Sequence, residues 1–105
     1  MRFLVLTKQS SPPPPEIALS LFEGLSEWAK AHQASGKLEQ VWSFAGLPAG
    51  GGILNVATLE ELDSIMNGFP LSPFSTTEVL PLVELEPSLE SVRQSIRAML
   101  PPGQS

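Results

Sequence analysis

Residues 41–56 read VWSFAGLPAGGGILNV. Two apolar runs flank a span of four glycines, two alanines and a proline, a composition that cannot sustain a helix. The run therefore leads from one strand to another. Strands are expected over Leu38–Ala45 and Ile53–Ala57, with Gly50–Gly52 in the hairpin between them, at positive φ or in a bulge. A glycine loop that cradles phosphate must open into a helix, so that backbone amides and the helix dipole face the anion. Here no helix follows the glycines, and neither Gly-Lys-Ser/Thr nor GxGxxG occurs.

The rest of the chain arranges itself around that hairpin. Phe3–Leu6 is apolar on both parities, as in a strand covered on both faces. Four prolines, Pro12–Pro15, form a stiff connector into a helix over Glu16–Ala34. That helix carries Ile17, Leu21, Leu25, Trp28 and His32 in one stripe, and Ser35-Gly36 stops it. Thr58 and Glu61 form a capping box for a short helix with Leu59, Leu62, Ile65 and Met66 inward. An aromatic and proline turn, Phe69–Phe74, leads to a strand over Thr76–Leu85, where Pro81 implies an edge or a bulge. Ser88 would cap a last helix that places Leu89, Val92, Ile96 and Met99 on one face. Pro101–Ser105 reads as a tail.

The order βαββαβ plus a C-terminal helix is the ferredoxin-like split βαβ pattern: an α+β fold with one antiparallel sheet and its helices on one face. A single domain over residues 1–100 is expected. The other sheet face would be bare in a monomer, yet the strands are apolar on both parities. Charged residues make up only 16% of the chain, against roughly a quarter in an average soluble domain. Both observations predict a homo-oligomer, a dimer at least, with sheet against sheet about a two-fold axis.

Net charge is −5, with 6 Lys and Arg in no cluster, which excludes nucleic acid and anionic membranes as partners. There is no cysteine and one histidine, so no disulfide, thiolate chemistry or credible metal site is expected, and no cofactor is implied. No apolar run is long enough to span a bilayer, and Met1–Leu6 is too short for a signal peptide; a cytoplasmic protein is expected.

Candidate site residues are few. His32 is the candidate acid/base, or else a neutral imidazole packed near a helix end. Trp28 and Trp42 can line a cavity or fill the core. Ser43 and Asn55 can orient a carbonyl or carboxylate, or be satisfied within the sheet. Glu78 becomes a usable base if desolvation raises its pKa, and is otherwise a solvated strand residue.

Trp42, Ala45 and Gly46, followed at matching separation by Leu62, Pro70, Leu71, Pro73 and Phe74, resemble the muconolactone isomerase family. The likeness runs over about Leu38–Pro87. It implies a dimeric α/β-barrel fold, assembled into a dimer or larger ring, with a small-molecule pocket between sheet and helices. It also implies a reaction: a double bond moves within an unsaturated, carboxylated lactone by proton removal and return. Ser43 and Leu47 stand where the family carries a polar or basic residue and a histidine. Two readings follow: a small enzyme using His32 for proton transfer, or a non-catalytic binding or oligomeric module of the same fold.

Overall fold

The computed structural model describes residues 1–103; Gln104 and Ser105, the end of the expected tail, lie outside the described residues. The elements are β1 (Arg2–Gln9), α1 (Pro15–Ala34), β2 (Leu38–Ser43), β3 (Ala49–Asn55), α2 (Leu59–Asn67), β4 (Ser75–Leu82) and α3 (Leu85–Met99), with a 3-10 turn at Ser72–Phe74. The sheet order is β2-β3-β1-β4 with every pairing antiparallel, the ferredoxin-like arrangement expected from the element order. Pro81 is accommodated because β4 is an edge strand.

The helix face of the sheet holds the core. Phe3 and Val5 of β1 pack with Leu38, Leu54 and Val56 against Leu62 and Ile65 of α2, and Leu54 at 1% exposure is its most enclosed side chain. Local signals set the helix ends. Thr58 Oγ1 accepts from the Glu61 amide at 3.1 Å and starts α2. Gly36, at φ 79°, takes the left-handed conformation beyond α1 that other residues rarely adopt. Pro14 at φ −55°, ψ 138° is extended and feeds Pro15 into the first turn of α1, where its missing amide costs nothing.

Three sequence expectations are corrected. First, Gly50–Gly52 are not in the hairpin loop and have no positive φ; they lie inside β3, paired with β1 and β2. Close approach demands them there. A Cβ on Gly52 would lie 2.8 Å from the Gln40 carbonyl oxygen, and one on Gly50 2.8 Å from that of Trp42. The loop is the shorter stretch 44–48, where Gly46 supplies the positive φ.

Second, an irregularity between Leu38 and Gln40 shifts the register of β2. Leu38 pairs with Leu54 and Val41 with Gly52, so both lie on the helix face, whereas Trp42 pairs with Gly51 on the outer face. A plain alternation would have put Leu38 and Trp42 together. Third, α3 starts at Leu85 rather than at Ser88. Pro87 falls in its first turn, where proline is tolerated, and β4 ends correspondingly early, at Leu82.

Within one chain the outer sheet face is open. Leu4, Leu6 and Ile53 are half-buried at its centre, and Trp42, Leu80 and Leu82 are exposed around them. Arg2 crosses one end of this face. It donates to Glu39 at 2.7 Å and lies 3.7 Å from Glu84. That hydrogen bond from Arg2 holds the Glu39 carboxyl below the usual carboxylate range, and Glu39 in turn raises Arg2.

Candidate functional site

The glycines that β3 carries create the principal cavity. Gly50 and Gly52 face the helix side, opposite Thr7 and Val5 of β1. A floor without side chains leaves space between the sheet and α1. This explains why α1 buries none of its residues although its apolar stripe points at the sheet. The space is a cavity of about 460 Å³, within the range typical of small-molecule sites. Phe22, Leu25, Ser26, Trp28 and Ala29 of α1 roof it, and Met66, Phe69 and Leu71 close one side. Phe22, Val41 and Leu47 are exposed at its rim, so the cavity opens to solvent.

Trp28 anchors the roof. Its indole Nε1 donates to the Ile65 carbonyl at 3.2 Å, and Phe69 meets the ring edge-on with centroids 5.3 Å apart. The hydrogen bond satisfies the indole, which fixes the ring against α2. His32 sits one helical turn further on, edge-on to Trp28 with centroids 5.0 Å apart, half-buried and outside the cavity lining.

The sequence-derived candidates separate into three places. Trp28, Trp42 and Ser43 touch the cavity. Ser43 pairs with Gly50 on the helix side. Trp42 belongs to both faces of the sheet edge: it borders the cavity, while its indole nitrogen stands 3.2 Å from where a Gly51 Cβ would project, beside Leu6. Asn55 lies at the far end of β3, where its Oδ1 accepts from the Met1 ammonium at 3.4 Å. Glu78 is exposed and pairs across from Leu6, in a second depression with Lys8, Phe44 and Thr76.

The lining carries hydroxyls (Thr7, Ser26, Ser43 and Ser75) and the Gln9 amide, but no ionisable side chain among the described residues. Such a lining offers neutral hydrogen-bonding groups among apolar walls. Sequence reasoning missed the glycine floor, Ser26 and Ala29. The signal for the roof was the small pair Ser26 and Ala29 beside Phe22 and Leu25 on one side of α1.

The fold is a ferredoxin-like α+β domain with a cavity between sheet and helix. Residues 1–87 match the muconolactone delta-isomerase family, and the chain belongs to that family. It is similar to the crystal structure of muconolactone isomerase, with 27% identity and a TM-score of 0.76, over 82% of this chain and 92% of that one. A looser likeness is to protein Atu4242 from Agrobacterium tumefaciens, with 15% identity and a TM-score of 0.44, over 83% of this chain and 98% of that one. No curated protein sequence matches the chain. Among the described residues, no helix is long and apolar enough to cross a membrane.

Proposed function

We propose that the protein is an isomerase that binds a small unsaturated lactone, or a related carbonyl compound, above the Gly50–Gly52 floor and moves its double bond by proton transfer. The observation that carries this reading is the cavity itself, in a chain of the muconolactone delta-isomerase family. Apolar walls from Trp28, Phe69 and Met66 take the ring, and the hydroxyls of Ser43 and Ser26 orient its oxygens. A proton that leaves one carbon and returns to another needs an acid/base group and a donor to the developing oxyanion. The hydroxyls of the lining supply the donor. His32, edge-on to Trp28 and behind the lining, is the imidazole we assign as acid/base.

The open sheet face is the surface through which two copies would pair. The apolar group Leu4, Leu6, Ile53, Leu80 and Leu82 supports a homodimer joined sheet to sheet, with the cavity on the opposite face left free.

The lining's lack of ionisable side chains favours a second reading, a binding module that holds the same class of compound without turning it over. Steady-state assay of muconolactone separates the two. The enzyme reading predicts turnover, with kcat falling about 10²–10⁴-fold in His32→Ala and KM little changed, since a proton-transfer group acts in the transition state. Saturable binding without turnover supports the module. Turnover indifferent to His32→Ala removes that residue from the mechanism.

A further inference from the structure

Among the described residues, no element packs extensively along α3. None of its residues is buried, and Leu85, Val92, Ile96 and Met99 are 67%, 52%, 51% and 78% exposed. The molecule is drawn out accordingly. Its radius of gyration is 18.9 Å, against about 13 Å for a compact domain of this length. Its surface of 7207 Å² exceeds by about 1,500 Å² that of a compact monomer of its mass. That excess is larger than the roughly 800 Å² each partner gives up in a standard interface. Most of α3 also lies beyond the residues that match the family, which end at Pro87.

The spacing on α3 specifies what covers it. Leu85, Leu89, Val92, Ile96 and Met99 recur at intervals of four, three, four and three. This is the narrow d-a-d-a-d seam of a helix pair, not the wider stripe a helix turns to a sheet. The polar side carries Glu86, Glu90, Arg93 and Arg97, two of each sign, already in mutual contact at 3.3–3.7 Å. A neutral polar face is unsuited to an anionic membrane, which attracts a surplus of Lys and Arg.

We propose that α3 pairs antiparallel with α3 of a second copy of this chain. In that sense the apolar layers set Leu85 against the partner's Ile96 and Leu89 against the partner's Val92, and each repeats by symmetry. Glu86 and Arg93, which flank the seam in equivalent positions, then meet across it with opposite charge. In a parallel pair Arg93 would face the partner's Ser88, so no charge pairing results. The assignment is independent of how the sheet faces pair.

The absence of cysteine makes the test direct. Leu85→Cys/Ile96→Cys and each single variant of the full chain are oxidised mildly and resolved without reductant. Eleven residues separate the two sites, about 16 Å along the helix, beyond the reach of a disulfide within one chain. Expected is a covalent dimer in the double variant at tenfold or more the yield of either single. In the same background Glu86→Arg should cut that yield severalfold, and adding Arg93→Glu should restore it. Crosslinking by either single variant means parallel pairing and overturns the proposal. No crosslink in any variant, with circular dichroism showing the body folded, means α3 docks elsewhere and overturns it as well.

Discussion

Gly52→Ala isolates the reason for glycine in β3. Gly52 has ordinary strand φ, so the backbone alone would welcome alanine. Losing glycine's freedom in the unfolded chain should stabilise by about 0.4–1 kcal/mol. Space decides the other way. The new Cβ would stand 2.8 Å from the Gln40 carbonyl oxygen and 3.0 Å from Leu38 Cδ1, and Leu38 is buried in the core. A backbone oxygen cannot rotate aside, so β2 must shift outward and strain its pairing with β3. Overpacking of this kind costs about 1–3 kcal/mol. The net loss is then about 1–2 kcal/mol, a fall in Tm of about 4–16 °C for a domain of this size. Gly24→Ala is the control. It lies within α1, its Cβ would meet only Pro70 side-chain atoms at 3.7 Å or more, and alanine is the better helix former. It should raise stability by about 0.5–1 kcal/mol. Thermal and urea unfolding of both variants beside the parent provide the assay. A Gly52→Ala protein as stable as the parent would refute the reasoning, because the space beside the Gln40 carbonyl and Leu38 would then admit a methyl group.

Two smaller perturbations test other local devices. Thr58→Ala removes the oxygen that caps α2 at Glu61 and should cost about 0.5–2 kcal/mol in urea unfolding, while Thr58→Ser should retain most of it. Glu39 titrates lower in the folded chain than in the unfolded one. Its pairing with Arg2 therefore contributes stability above the ordinary carboxylate range and loses it as pH falls through the lowered value. Unfolding midpoints of the parent and Arg2→Met should differ at neutral pH and converge in acid; a constant difference would show that Arg2 acts through packing instead.

How much of this was legible beforehand depended on which residues carried side-chain information. The βαββαβ order, the Thr58 cap, the Gly36 stop and the edge position of Pro81 each rest on a local residue type with one dominant conformational use, and each was readable. β3 was shortened because glycine offers no alternation to read and is depleted in strands, so Gly50–Gly52 passed for a turn. The face of Trp42 was misjudged because a one-residue irregularity between Leu38 and Gln40 reverses every later side chain of the strand. The resemblance implies a pocket between sheet and helices, but both errors hid its glycine floor. It is defined by side chains that are missing from the floor, which no pattern of apolar residues announces. Asn55 and Glu78 were singled out for their chemistry, but their register in the sheet sets them at the N-terminal ammonium and on the outer face.

The central claim is that substrate occupies the space between α1 and the glycine floor. Ala29→Trp, which projects an indole from the roof into that space, tests it most directly when assayed on muconolactone beside the parent. The account predicts turnover by the parent, and a loss of kcat/KM of tenfold or more in the filled variant with its Tm maintained. Turnover undiminished in a folded Ala29→Trp protein would place the chemistry elsewhere and contradict the account.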